Sequence, residues 1–373
     1  MLSERMLQSF SNLVNIDSVS KSEEKIHGYL KQKFTALGLK VIEDNSKTKT
    51  GLGANNLIAI LESTSEKETL FFSCHTDTVS PGKGIEVVEE DGKLFSKGDT
   101  ILGADDKAGI AIMIEAIQQI QEKGIPHGKV EFVLSPGEEI GLIGSSALDM
   151  DLLTAMNGYV LDSGGAVGRV TIASPTLYMY DVTISGVAAH AGIEPEKGIS
   201  AISILSEALP NIKIGRIDEM TTANIGVIQG GESTNVVLDH MLVKGEVRSV
   251  DPKKANILIQ EVSDYFRQAA KKHGGSVTIE TKRMATGFHI NDDEKVMKTF
   301  LKSAKNLGLE VVREVSGGGS DANSFNEKGK KAVNLSIGYE NIHTTDEYIP
   351  VEEMKKAVQL VIELIKSSPN KME

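Results

Sequence analysis

The sequence predicts an α/β fold: a mixed sheet with helices on both faces, interrupted by an inserted ferredoxin-like α+β domain. Three observations predict it. Strands and helices alternate along both flanks of the chain, and the flanking strands are apolar throughout, as strands covered on both faces are. The middle third instead alternates apolar and polar residues in the order β-α-β-β-α-β. The length of 373 residues, 40% hydrophobic and 25% charged, suits two domains with full cores. Residues 1–175 and 288–373 are therefore expected to form one discontinuous domain and 176–287 the insert.

Taken in order, Met6, Phe10, Leu13 and Val14 recur at helical spacing, as do Ile26, Tyr29, Leu30, Phe34 and Leu37. Gly38 ends the second helix. Strands are expected over 39–42, 56–60 and 69–74, a strongly apolar helix over 107–121, and strands over 129–134 and 159–161. Near Thr176 the pattern changes. Residues 177–185 form a half-exposed strand, 199–209 a helix, 222–228 and 236–248 strands, 252–272 a long amphipathic helix, and 276–281 a closing strand. Beyond Gly287 come a helix over 294–306, strands over 309–313 and 332–337, and a last helix over 351–366. The glycines at 317–319 make a loop.

Composition excludes several classes of function. With 40 Lys plus Arg against 52 Asp plus Glu, the net charge is −12, so the chain carries no electrostatic footprint for nucleic acid or an anionic membrane. The single cysteine, Cys74, cannot form an intramolecular disulfide and is expected as a small core residue. No signal peptide and no apolar run of about 18 residues is found, so a cytoplasmic, soluble protein is expected. Neither a G-x-G-x-x-G after the first strand nor a G-K-[ST] loop supports nucleotide chemistry.

Five polar clusters sit where strands end or helices begin. In His75-Thr76-Asp77, residues two apart on an extended chain face one side, and a carboxylate beside a histidine can fix a metal-bound imidazole. A polar turn after a core strand is the alternative. Asp105 and Asp106 precede the apolar helix, where one carboxylate suffices as a cap and the other can face a cavity. Glu138 and Glu139 repel unless a cation or a shared proton relieves them; with a metal, one binds it and the other takes a proton from water. Asp162 and His343, each unremarkable alone, complete a set of imidazoles and carboxylates at strand ends. Such donors suit Zn²⁺, Co²⁺ or Mn²⁺.

The order His75-x-Asp77, Gly-Ala-Asp105-Asp106-Lys107, Pro-Gly-Glu138-Glu139, Leu-Asp162 and His343 resembles the M20 family of di-metal peptidases, and within it the peptidase-T-like group. The resemblance covers essentially the whole chain and makes the insert a lid. It implies two divalent ions per subunit, zinc first and Co or Mn as alternatives. One ion would be held by His75, Asp105 and Asp162, the other by Asp105, Glu139 and His343, so that Asp105 bridges. It further implies Glu138 as general base, Asp77 as the carboxylate orienting His75, His190, from the lid or from a partner subunit's lid, as a donor to the oxyanion, and a cis peptide after Asp105. Asn235, Arg248, Gly318 and Gly319 resemble substrate-binding positions, although a surface salt bridge accounts equally for Arg248. The implied activity is removal of the N-terminal residue from short peptides such as tripeptides. An N-acyl amino acid deacylase or carboxypeptidase-type amidohydrolase of the same family, and a non-catalytic peptide-binding homodimer, are the alternatives. The expected partner is a short peptide, without nucleic acid or membrane, and a homodimer through the lid is left open.

Overall fold

The computed structural model describes residues 2–371. The chain divides into two compact units: Met1–Ala173 with His289–Ser316 and Ser320–Glu373, and Ser174–Phe288 with Gly317–Gly319.

The first unit is built on a mixed sheet whose strands run Lys40–Glu43, Leu57–Leu61, Val130–Ser135, Leu70–His75, Asn157–Ser163, Lys331–Ser336, Arg169–Ser174. Leu70–His75 is parallel to both its neighbours, and Lys331–Ser336 is parallel to Asn157–Ser163 but antiparallel to Arg169–Ser174. The three strands Leu57–Leu61, Leu70–His75 and Val130–Ser135 are buried at every position, which is why they read as unbroken apolar runs. Side chains alternate across the sheet. Phe72 stacks beside Phe132 and Tyr159 on one face, and Cys74 turns the same way to meet helix Ala104–Glu122. Phe71 points to the other face and meets Phe325 of helix Asp321–Glu327, with ring centroids 4.6 Å apart. Helices therefore cover both faces. Ala104–Glu122 also packs against Leu2–Val14 and Val351–Ser367, so it is apolar nearly all round.

A second sheet of this unit, Val87–Glu90, Lys93–Ser96 and Tyr348–Pro350, is antiparallel throughout. The sequence reading passed over its first hairpin, although Asp91 and Gly92 (φ 50° and 72°) are a strong two-residue turn signal.

In the second unit the antiparallel strand order is Gly215–Asp218, Thr221–Gly230, His240–Ser249, Thr176–Ser185, Ser276–Ala285. Its last four strands, with helices Ala201–Ala208 and Pro252–His273, reproduce the expected β-α-β-β-α-β unit, and Gly215–Asp218 adds an edge strand. Phe266, Val262, Ile204, Val243 and Val182 lie in its core. The long helix has a complete set of end signals: Asp251 accepts the Lys253 amide, Pro252 opens the first turn, and Gly274 closes it at φ 77°.

Two strand expectations shift. The strand expected from 236 begins at His240, because 235–237 instead pair across to 189–191, leaving Val236 42% exposed. The strand expected from 309 begins at Val312, because the Leu309 amide still donates to Ala304 in closing the preceding helix. Among the described residues no helix is long and apolar enough to cross a membrane.

Candidate metal centre

The parallel strands bring their carboxyl ends to one edge of the sheet, where α/β folds build their sites. His75 is the last residue of its strand and Asp162 the last but one of Asn157–Ser163. Glu138 and Glu139 follow Ser135 through a turn at Gly137 (φ 69°). His343 (φ 63°) lies in the loop after Lys331–Ser336. Asp105 and Asp106 open the helix Ala104–Glu122 with non-helical backbone, and the peptide between them is cis.

The two oxygens of Asp105 face different imidazoles. Oδ1 lies 2.8 Å from His75 Nε2 and Oδ2 lies 3.2 Å from His343 Nε2. Asp162 Oδ1 stands 3.6 Å from His75 Nε2, and Glu139 Oε2 stands 3.0 Å from His343 Nε2. Donor atoms of His75, Asp105 and Glu139 lie within 4.8 Å of one another, as do those of His75, Asp106 and Asp162. Asp106 is already engaged, since its Oδ2 accepts the His75 amide at 3.2 Å. Two imidazoles and three carboxylates without a thiolate fit a pair of hard or borderline divalent cations. The ring of His75 fits the same role: Nδ1 turns to the Asp77 carbonyl at 2.9 Å, leaving Nε2 towards Asp105 and Asp162.

The electrostatics reflect crowded carboxylates around two imidazoles. Burial disfavours charge on His75, yet Asp162 and the hydrogen bonds of Asp105, Asp162 and Asp77 push it well above the ordinary histidine value. His343 is pushed up to about 10 by Asp105 and Glu139. Burial raises Asp105, but its hydrogen bonds with His343 and His75 prevail and hold it below the usual carboxylate range. Asp162 is pushed up to about 7, by burial first and then by the Asp105 charge. Glu138 goes well above its ordinary value, again mainly through burial, with Asp162, Asp321 and Glu139 adding to it against the pull of His75.

Further residues support these groups, and the expected Asp77 does so in an unexpected way. The Asp77 carboxylate, 3.5 Å from His75 Nδ1, is more closely engaged elsewhere: it accepts the Glu138 amide at 2.9 Å, the Glu139 amide at 3.3 Å and the Ser20 hydroxyl at 2.7 Å. It thus sets the turn carrying both glutamates. The buried Tyr339 hydroxyl donates to Asp162 Oδ1 at 2.9 Å, and Asn334 holds the Asp162 backbone at both its amide and its carbonyl. Ser135 donates to the buried Asp321. Glu347 accepts three main-chain amides from the segment leading to Asp105. Asp77 stood in the His75-Thr76-Asp77 motif, and Tyr339 and Glu347 had a cue in their nearness to His343.

The remaining candidates belong to the second unit. The exposed His190 pairs with Val236, next to Asn235, whose carbonyl accepts the Ala191 amide. Arg248 forks onto Glu246 at 2.8 and 3.0 Å and also donates to the Gly317 carbonyl, so its guanidinium is engaged within the unit. Gly318 accepts from Ser174 Oγ, and Gly319 follows it in the same short loop.

Comparison with known proteins gives the family. Residues 71–367 match the peptidase family M20/M25/M40. The uncharacterized protein YqjE of Bacillus subtilis is 46% identical over 365 residues, 98% of either chain. The crystal structure of aminopeptidase PepT from Bacillus cereus superposes with a TM-score of 0.95 at 45% identity, and a tripeptidase from Staphylococcus aureus with 0.94 at 42%, each covering 98% of both chains. With a match along about four-fifths of its length and near-complete relatives, the chain belongs to peptidase family M20/M25/M40.

Proposed function

We propose that the chain is a metal-dependent aminopeptidase that removes the N-terminal residue of short peptides, tripeptides among them. In this reading His75, Asp105 and Asp162 hold one divalent cation, and Asp105, Glu139 and His343 hold the second, with zinc as the first candidate. The observation that carries it is the Asp105 carboxylate, one oxygen towards each imidazole. The aminopeptidase and tripeptidase named above supply the substrate class.

Bound cations of this kind polarise a carbonyl and lower the pKa of a water. The chain's own residues do the rest. Glu138 accepts the proton of the attacking water and returns it to the leaving amine; burial, which raises its hold on a proton, suits it to carry that proton between the two transfers. Asp77 sets the direction of Glu138 through its amide. Tyr339 and the Asp77 carbonyl orient Asp162 and His75. His190, from this chain's lid or from that of a partner subunit, donates to the oxyanion, so His190→Ala should lower kcat by about 100- to 1,000-fold.

The test measures metal content per chain together with cleavage of tripeptides bearing free or acetylated N-termini. Two ions per chain and hydrolysis of free peptides alone are expected. Equal cleavage of blocked peptides would assign a deacylase or carboxypeptidase-type activity instead. Stoichiometric metal with no amide hydrolysis would leave a binding protein.

A further inference from the structure

We infer that Glu347 is a positioning residue that fixes the spacing between Asp105 and His343, an inference that rests on the two-cation reading above. The two segments concerned are remote in sequence and have no ladder between them. Glu347 is 1% exposed, and its carboxylate spans the gap. Oε2 accepts the amides of Leu102 and Gly103, both at 2.8 Å, and Oε1 accepts the amide of Asp105 itself at 3.0 Å. Of these amides, those of Gly103 and Asp105 open an interrupted helix, where backbone donors have no partner within the helix, and that of Leu102 immediately precedes it. A single carboxylate thus satisfies all three and grips the backbone of the candidate bridging residue.

The other end of this strut is equally well anchored. Glu347 lies four residues after His343, in a loop closed by mutual hydrogen bonds between Glu340 and Tyr348 at 2.9 and 3.1 Å. The next residues, Tyr348–Pro350, pair with Lys93–Ser96, and Tyr348 packs its ring on Phe95. The base of the His343 loop is therefore fixed to the core, and Glu347 projects from it to the Asp105 segment. Hydrogen bonds to a carboxylate acceptor are the stronger kind. Residues that hold metal ligands in this way typically control affinity about 10- to 100-fold.

A carboxylate that merely stabilises the fold would make the same contacts, so the test needs a matched control. Glu131 provides it: fully buried, it accepts the amides of Thr154 and Ala155 and the Thr154 hydroxyl, and it takes no part in the cluster. Glu347→Gln and Glu131→Gln each keep shape and one acceptor oxygen but turn an amide N–H₂ towards donors. Zn²⁺ affinity is measured by competition with a chromogenic chelator, and the visible spectrum of the Co²⁺-loaded chain records the coordination. Thermal unfolding of the metal-free chain records stability. The expected result is a 10- to 100-fold weaker affinity and an altered Co²⁺ spectrum for Glu347→Gln. Glu131→Gln should lower the melting temperature and leave affinity within about twofold of the parent. Parental affinity in Glu347→Gln, or equal weakening in both variants, overturns the inference while leaving the two-cation reading intact. A parent chain that binds neither ion overturns that reading and this inference with it.

Discussion

Gly109→Ala is a substitution for which helix propensity and packing give opposite signs. Gly109 lies inside the helix Ala104–Glu122, where replacing glycine by alanine at an exposed position would stabilise by about 1 kcal/mol. Here a Cβ would sit 2.4 Å from Asp106 Oδ1, 2.6 Å from Cys74 Sγ and 2.7 Å from the Leu161 carbonyl oxygen. Comfortable contact for carbon is about 3.5 Å, so all three neighbours must retreat by about 1 Å. One of them is backbone, which cannot rotate aside. Overpacking of this kind costs about 1–3 kcal/mol, and three simultaneous clashes put the cost at the upper end, leaving a net loss of about 2 kcal/mol. Each displaced residue adjoins a candidate ligand: Cys74 precedes His75, Leu161 precedes Asp162, and Asp106 follows Asp105. A shift of about 1 Å in a reacting constellation can cost 100-fold in rate. Urea unfolding of the metal-free chain and kcat/KM on a tripeptide measure the two effects. The Cys74→Ala, Gly109→Ala double variant should recover part of both, because it removes the sulfur contact. A Gly109→Ala chain as stable as its parent with turnover within twofold would refute the packing argument.

Glu138→Gln should retain two metal ions per chain and lose about 100- to 10,000-fold in kcat, measured by metal analysis and peptide turnover. Dialysis against a strong chelator should abolish hydrolysis and lower the melting temperature, with Zn²⁺, Co²⁺ or Mn²⁺ restoring both; activity that survives metal removal would exclude the two-cation reading. His27 gives a pH dependence. Burial, helped by Lys31, lowers its pKa to about 4, and its Nε2 meets Thr76 Oγ1 at 2.9 Å. The unfolded chain, with an ordinary value of about 6.5, therefore binds a proton that the folded chain refuses. This contribution is complete above about pH 6.5 and falls as pH drops towards 4, by about 2 kcal/mol between pH 6.5 and 5. Unfolding free energies of the parent and His27→Gln at pH 7 and 5 isolate it, and an equal pH slope in both would show that His27 does not titrate this way.

Four of the five candidate ligands were legible because they come after apolar strands, so strand-end placement could be read from pattern alone, and Asp105 because it opens an apolar helix. The β-α-β-β-α-β order of the insert was legible for a similar reason, since its strands alternate where the flanking ones do not. Glu347 was not legible, because its partners are main-chain amides, which every residue possesses and no motif records. The engagement of Asp77 was hidden for a related reason. Period-two geometry correctly puts residues 75 and 77 near each other, yet the imidazole takes the carbonyl and leaves the carboxylate to the 138–139 turn. Val236, Val237 and Leu238 look like the start of a strand, and only the pairing of 235–237 with 189–191 assigns them to a loop.

The strand order of the first unit has a consequence for biogenesis. Asn157–Ser163 and Arg169–Ser174 are close neighbours in sequence, yet they flank Lys331–Ser336, which is made only after the whole 174–288 unit. While the ribosome works through that stretch, a slot one strand wide stays open in the sheet, with bare hydrogen-bonding edges on both sides. Such edges attract foreign strands. A chain truncated before residue 331 should therefore need a chaperone to stay dispersed, whereas a chain extending past Ser336 seals its own seam.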